Sequence, residues 1–308
     1  MKTAFIFPGQ ASQKVGMGND LYEGSLLGKE YFNIANTVLD YDIQKIIFKG
    51  PEELLTQTRF TQPAIYIVSV ILGRLLIEKG VSPTVVAGHS LGEYSALTIA
   101  GSLDFQNGLE LVKNRAENMF AADTENPGSM AAIIGLESEV VDELCVAYNK
   151  PDGIVVIANK NTPIQTVISG HTNAVKRVVD IAKQRGAIKA ILLNVSGAFH
   201  SPLMRPAREA LAEKINSIEI RDASIPVYAN ISAEPVEIAE EIKNCLIKQL
   251  EMPVLWSKTI GNMKRNGINN FIEVGPGRVL RGINKRIDQS LSVSNVSTLV
   301  ELNQLDYV

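Results

Sequence analysis

The pentapeptide Gly88-His89-Ser90-Leu91-Gly92 sits between a short apolar run, Thr84–Ala87, and a stretch with helical patterning from Ser90 to Ala100. A G-x-S-x-G sequence in that setting prescribes a buried strand that turns sharply into a helix and lifts the serine hydroxyl out of the turn. The two glycines follow from sterics, because side chains at those positions would collide with so tight a backbone. The first N–H groups of the following helix, that of Leu91 foremost, then point to where an oxyanion would form. The plainer alternative is a tight turn whose serine only caps the helix.

The rest of the chain supplies the surroundings such a turn requires. Lys2–Phe7 reads as a strand, followed by a loop at Pro8-Gly9-Gln10, helical segments from about Asp20 to Leu39, and a helix over Gln62–Ile77. The apolar stretch Ala64–Ile77 is interrupted by Arg74 and falls short of the roughly 20 residues of a bilayer span, so it reads as a buried helix. Phe105–Phe120 is helical. Strands alternating with helices predict a parallel sheet covered on both faces.

The rhythm changes after Glu125-Asn126-Pro127-Gly128. A strand (Met130–Ile134), a helix (Ser138–Asn149), two strands (Ile154–Asn159 and Gln165–Ser169) around a turn at Asn161-Thr162-Pro163, a helix (Asn173–Arg185) and a strand (Ala187–Leu193) follow in order. That βαββαβ order is the split unit of a ferredoxin-like fold. The predicted organisation is therefore an α/β, parallel-sheet domain made of residues 1–126 and 195–308, with a ferredoxin-like subdomain, residues 127–194, inserted into it. Pro206–Ile215, a strand at Ile225–Asn230, Ala239–Leu250 and a strand at Phe271–Val274 running into Gly275-Pro276-Gly277 complete the larger part, and the last dozen residues read as a loose tail.

A serine needs a general base to attack near neutral pH, and histidine is the usual one. The chain has three histidines. His89 adjoins Ser90 and should point away from it, and His171, in Ser169-Gly170-His171-Thr172, reads as a solvated turn residue. His200, in the loop Val195-Ser196-Gly197-Ala198-Phe199-His200-Ser201-Pro202, is left as the partner of Ser90. No acid stands out to orient it; Asp222, Glu234 and Glu251 are the possibilities. On a helical wheel of about 100° per residue, Leu109, Val112, Ala116, Met119 and Phe120 form one stripe and Arg115 lies at its border. From there it can bury its stem and present its guanidinium to a cleft, where the planar fork suits a carboxylate; an arginine that only snorkels is the other reading.

Composition narrows the class. Hydrophobic residues are 45% and charged residues 20% of the 308, an ordinary globular balance. With 30 basic and 33 acidic residues the formal charge is −3, which lacks the basic footprint of a nucleic-acid binder. The N-terminus lacks the pattern of a signal peptide, and Cys145 and Cys245 follow no metal or redox spacing. A reduced, cytoplasmic protein that does not enter membranes is the expectation, with a monomer as the default assembly.

Taken in order, Phe7-Pro8-Gly9-Gln10-Ala11-Ser12-Gln13, Thr61-Gln62-Pro63-Ala64, Gly88-His89-Ser90-Leu91-Gly92-Glu93-Tyr94, Arg115, Gly197-Ala198-Phe199-His200-Ser201, Gln249 and Glu273-Val274-Gly275-Pro276-Gly277 resemble the malonyl-CoA:acyl carrier protein transacylases and the related acyltransferases of polyketide synthesis. The resemblance covers nearly the whole chain. It implies a hydrolase-like α/β domain with a ferredoxin-like insertion and an active site in the cleft between them. It also implies Ser90 as the acylated residue, His200 as its base, Arg115 as partner of the malonyl carboxylate, Gln10 and the Leu91 N–H as the oxyanion hole, and the Gln249 main-chain carbonyl as the group that orients the histidine.

Malonyl-CoA and the phosphopantetheine thiol of an acyl carrier protein are then the expected substrates, in fatty acid or polyketide biosynthesis, with no metal or other cofactor. Phe199 is expected to favour malonyl over methylmalonyl groups. An acyl hydrolase acting on carrier proteins shares the serine and histidine but often lacks the arginine. A lipase or esterase is disfavoured for want of a His-Gly-Gly-Gly loop. Lys183, Arg185, Lys189, Arg281, Lys285 and Arg286 are candidates for docking an acidic carrier. The resembled pattern has glycine where Ala11 stands; a positive φ there would strain this chain by about 1 kcal/mol, and a loop that tolerates a small side chain is the expectation.

Overall fold

The computed structural model describes residues 2–150, 153–195 and 197–305. β1 (Thr3–Phe7) leads into α1 (Asn19–Gly24), α2 (Leu26–Leu39), α3 (Ile43–Lys49), α4 (Glu52–Leu55) and α5 (Thr58–Glu78), then β2 (Val85–Gly88), α6 (Gly92–Ile99) and α7 (Phe105–Glu125). β3 (Ser129–Ile134), α8 (Ser138–Tyr148), β4 (Val155–Thr162), β5 (Gln165–Gly170), α9 (Thr172–Gln184) and β6 (Lys189–Leu192) follow. The chain closes with α10 (Arg205–Ser217), β7 (Val227–Tyr228), β8 (Pro235–Val236), α11 (Ala239–Gln249), α12 (Trp256–Arg265), β9 (Asn270–Val274), α13 (Val279–Ile287), β10 (Ser292–Val296) and α14 (Leu299–Gln304).

Two sheets result. The larger has the order β10-β9-β1-β2-β7-β8 and is parallel except at its β8 edge. Its strands are apolar on both faces: Phe5, Phe7 and Val86 join a core with α2, α5 and α7, while Ala4, Ile6 and Ala87 pack against Trp256, Ile260 and Ile283 of α12 and α13. Helix α5, the one described helix long and apolar enough to cross a membrane, is almost wholly buried in the first of these cores. The smaller sheet, β4-β5-β3-β6, is antiparallel throughout. Ala131, Ile133 and Ile168 on one face pack under α8 and α9, whereas Met130, Ala132 and Val167 on the other join the main core and line a cleft. The sheets are stitched together where Val254 exchanges main-chain hydrogen bonds with Ala158 and Lys160 of β4, both at 2.9 Å.

Several local expectations change. The strand expected at Ile225–Asn230 is only Val227–Tyr228, because Asn230 is drawn off to hold the turn after β2. Asn161 and Thr162 are strand rather than turn; β4 runs through two register shifts to Thr162, which keeps the Asn161 side chain pointed at the larger sheet's turn. The loose tail is in part α14: Thr298 caps it, Leu302 is buried, and Glu301 pairs with Arg278 at 3.0 Å. Ser196 of the histidine loop and residues 306–308 lie outside the described residues.

Candidate active site

Ser90 stands at the end of β2 with φ 52°, in the left-handed region that L-residues rarely occupy. The glycines on either side explain how so tight a turn closes. A Cβ on Gly88 would lie 1.8 Å from the Gly92 carbonyl carbon, and a Cβ on Gly92 would lie 2.1 Å from the Phe7 carbonyl oxygen at the end of β1. The turn is hydrogen-bonded from below. Asn230 accepts from the Ser90 N–H at 2.7 Å and donates to the Gly88 carbonyl at 2.6 Å. Gly92 and Glu93 N–H groups are used on the His89 and Ser90 carbonyls. Among the described residues the Leu91 N–H has no such partner, so it is free at the start of α6 beside the serine.

His200 also has a positive φ, 58°, and is nearly buried. Its turn is fixed by Ser201, whose hydroxyl donates to the Ala198 carbonyl at 2.6 Å. His200 Nδ1 faces two main-chain carbonyls, Gln249 at 2.9 Å and Met252 at 3.1 Å. Carbonyls only accept, so Nδ1 carries the proton and Nε2 is the acceptor for the Ser90 hydroxyl, 2.8 Å away. None of the three acids considered from sequence reaches the ring. Asp222 caps α11, Glu234 accepts from Asn262, and Glu251 pairs with Arg205 and Arg208. Burial, with the Arg115 charge adding to it, lowers the His200 pKa to about 3, so the imidazole is neutral at physiological pH.

Arg115, from α7, is fully buried. Nη1 donates to Gln62 Oε1 at 2.5 Å, and Nη2 donates to Ser90 Oγ at 2.9 Å and to Gln249 Oε1 at 3.2 Å. Among the described residues no carboxylate lies within hydrogen-bond distance of it. Its border position on α7 therefore ends behind the serine rather than in solvent, and desolvation lowers its pKa from the ordinary arginine value.

A cavity of about 480 Å³ opens in front of Ser90 and His200, between the two sheets, with Gln10, Phe199, Met130 and Leu280 among its walls. Such a position, beyond the carboxyl ends of parallel strands, is the usual ligand site of an open α/β sheet. Gln10 follows β1; its Oε1 accepts from Thr58 Oγ1 at 3.0 Å, which leaves its amide nitrogen as the end able to donate. Ala11 beside it has φ 77°, so this loop does adopt the conformation that disfavours alanine. Phe199 is buried against the main core and lines the cavity.

The other two histidines play no part in the serine pair. His89 turns away and its Nε2 is 2.8 Å from Asn161 Oδ1, a link from the turn to β4, and burial lowers its pKa. His171 Nδ1 accepts from the Ile154 N–H at 2.9 Å, a structural contact rather than simple solvation.

Three residues of the site had no role in the sequence reading: Gln62, Asn230 and Glu93. Glu93 is buried, accepts from Asn230 N at 3.2 Å and Gln249 Nε2 at 2.8 Å, and burial raises its pKa to about 7. Of the six basic candidates, Lys183 and Arg185 end α9 on the sheet face away from the cleft. Lys285 is spent on the Gln289 and Leu291 carbonyls, and Arg281 contacts Asn295. Lys189 pairs in register with Ile134 on the cleft face, and Arg286 reaches Gln165 on the cavity wall at 3.3 Å.

A serine at a strained strand-to-helix turn, hydrogen-bonded to a neutral histidine and facing a cleft, is an arrangement suited to acyl-group chemistry. The family model for the acyl transferase domain matches residues 4–304, and the chain belongs to that family, within its malonyl-CoA:acyl carrier protein transacylase branch; it is an acyltransferase. It is 41% identical over 296 residues to the malonyl CoA-acyl carrier protein transacylase of Bacillus subtilis, covering 96% of this chain and 93% of that one. The structure of an acyl carrier protein S-malonyltransferase from Vibrio cholerae superposes with a TM-score of 0.95 at 40% identity, over 99% of this chain and 100% of the other. A malonyl-transacylase solved in complex with its type II PKS acyl-carrier protein superposes at 0.94, also 40% identical, over 98% of each chain.

Proposed function

We propose that this chain transfers a malonyl group from malonyl-CoA to the phosphopantetheine thiol of an acyl carrier protein through an ester on Ser90. The observation that carries this is the double contact at Ser90 Oγ, where an acceptor imidazole and a buried guanidinium converge on one hydroxyl. In the first half-reaction His200 Nε2 takes the Ser90 proton as Oγ attacks the thioester carbonyl. The Leu91 N–H and the Gln10 amide stabilise the oxyanion, each such donor typically contributing about 3 kcal/mol. The C–S bond then breaks and the imidazolium protonates the departing CoA sulfur. In the second half the carrier thiol gives its proton to His200, attacks the malonyl ester, and Ser90 leaves as the alcohol. The Gln249 and Met252 carbonyls keep Nδ1 protonated throughout and so fix the tautomer that both halves use.

Arg115 gives the donor preference. In the free enzyme its Nη2 rests on Ser90 Oγ; once Oγ is an ester oxygen, a poor acceptor, that donor is released to the malonyl carboxylate three bonds further on. A neutral acyl group leaves the buried donor unpaired, which disfavours acetyl and longer chains. Phe199 crowds the α-carbon and excludes a methyl branch. We assign residues 1–126 and 195–308 to a hydrolase-like catalytic domain and 127–194 to a ferredoxin-like insertion, a division supported by the two sheet orders. Lys189 and Arg286 at the cleft mouth are the basic groups suited to an acidic carrier. One chain supplies the whole site, in keeping with a cytoplasmic monomer serving fatty acid or polyketide synthesis. The test is to isolate the malonyl-enzyme and mix it with holo carrier protein: discharge onto the carrier thiol faster than into water supports transfer, and the reverse order supports a hydrolase.

A further inference from the structure

Among the described residues, Gln249 is the only side chain that touches the nucleophile's backbone, the guanidinium and a buried acid together, and the direction of its amide is over-determined. Nε2 points at two acceptors, the Ser90 carbonyl at 3.0 Å and Glu93 Oε2 at 2.8 Å, while Oε1 receives Arg115 Nη2 at 3.2 Å. Glu93 Oε2 also accepts from the N–H of Asn230, the residue whose side chain clamps Gly88 and Ser90. A carboxylate accepts and does not donate, so a buried one fixes a neighbouring amide with its nitrogen inward. An amide in its place could accept or donate, and would leave only the Ser90 carbonyl to hold the Gln249 nitrogen inward.

On this basis we propose that Glu93 is a positioning residue for the substrate carboxylate's receptor. It keeps the Gln249 oxygen turned to Arg115 and acts as a counter-charge one side chain removed from the guanidinium. The proposal rests on the functional reading above. Its physical content is a separation of two tasks. Arg115 is fully buried and needs compensation, yet a carboxylate in direct contact would occupy the fork meant for the substrate. Its immediate acceptors are instead two neutral amide oxygens, of Gln62 and Gln249, and one hydroxyl. The acid stands behind Gln249, and its ionised form, which takes over as pH rises through about 7, is close enough to favour the cation and too far to neutralise its hydrogen bonds. Were the Gln249 amide reversed, its NH2 would face Arg115 Nη2, donor against donor, and the guanidinium would be pushed off the line to the malonyl group.

Two variants test this, each followed by single-turnover labelling of Ser90 with malonyl-CoA and acetyl-CoA in parallel, read by intact-protein mass spectrometry. Glu93→Gln preserves shape and an acceptor but not the acceptor-only character. The malonyl-to-acetyl rate ratio should fall about tenfold, the malonyl rate carrying most of the change. Gln249→Glu puts a carboxylate directly on Arg115, and malonyl labelling should fall at least about a hundredfold and more than acetyl labelling does. A ratio unchanged in Glu93→Gln, or malonyl and acetyl rates that fall in parallel, would mean a merely structural role and overturn the proposal. So would a Gln249→Glu protein that keeps its malonyl preference. Absence of malonyl labelling in the unaltered protein would instead remove the functional reading on which the proposal stands.

Discussion

Arg115 Nη2 lies 2.9 Å from Ser90 Oγ, although α7 and the turn after β2 are separate elements of the larger domain. The same hydroxyl is 2.8 Å from His200 Nε2, so nucleophile, base and cation form one contact set before any substrate arrives. Preorganisation of this kind removes much of the entropic cost of assembling the reacting groups.

Replacing Arg115 should therefore change which acyl group is accepted more than whether Ser90 reacts. Arg115→Ala removes a charge-assisted pair whose loss typically costs 2–4 kcal/mol, about 30- to 1000-fold. The malonyl labelling rate should fall within that range while the acetyl rate falls far less or rises. Parallel measurement with the two CoA thioesters checks it; equal losses would contradict the assignment.

His200 should remain neutral well below the ordinary histidine range. A folded-state pKa of about 3, against about 6.5 unfolded, means that between those values the unfolded chain binds a proton that the folded chain refuses. Stability from this group is thus complete above about pH 6.5 and is lost progressively as pH falls towards 3. Glu93 has the opposite sign: raised to about 7, it binds a proton in the folded state between about 4.5 and 7, and that contribution is lost as pH rises through the window. Nitrogen-15 NMR of the histidines, with His200→Ala for assignment, should show the His200 ring keeping the neutral, Nδ1-protonated signature at pH 5. An imidazolium signature there would contradict the buried-base account.

Ala11 is held at φ 77° between Gln10 and Ser12, with its N–H donating to Gln13 Oε1. Strain at such a position, about 1 kcal/mol or somewhat more, is partly offset by the greater chain entropy of glycine when unfolded. Ala11→Gly should raise the melting temperature by about 1–2 °C in a chain of this size. A fall in Tm would show that the loop accommodates alanine without strain.

Phe199→Ser should admit a branched acyl donor. The ring forms part of the cavity wall beside His200. Shrinking it should raise the methylmalonyl-to-malonyl labelling ratio at least about tenfold, the discrimination a small change of pocket volume commonly gives. An unchanged ratio would reduce Phe199 to core packing.

Much of the site was legible because its chemistry depends on rare residue types in constrained places. A G-x-S-x-G between a strand and a helix and one eligible histidine point to Ser90 and His200 without coordinates, whereas Arg115, equally readable from its spacing as a snorkelling residue, is singled out by the family resemblance. Apart from the Gln249 carbonyl that the resemblance implies, their supports were not legible. Asn230 and Glu93 are ordinary polar residues until the fold brings positions far apart in sequence onto the same turn, and hydrogen-bond partners of that kind leave no local periodicity. Asn161-Thr162-Pro163 resembles a turn because those residue types favour turns. In the fold the Asn161 side chain is satisfied by His89 across the cleft, and that tertiary contact keeps it in β4. Helix α14 was obscured by its brevity and by its dependence on contacts with the distant Asp20 and Arg278.

The central claim is that the malonyl group is held on Ser90. Brief exposure of the protein to malonyl-CoA, followed by peptide mapping in a mass spectrometer, tests it directly. The prediction is a malonyl adduct on the peptide containing Ser90 and none on a folded Ser90→Ala protein. An adduct that persists in Ser90→Ala, or that maps to another residue, would contradict it.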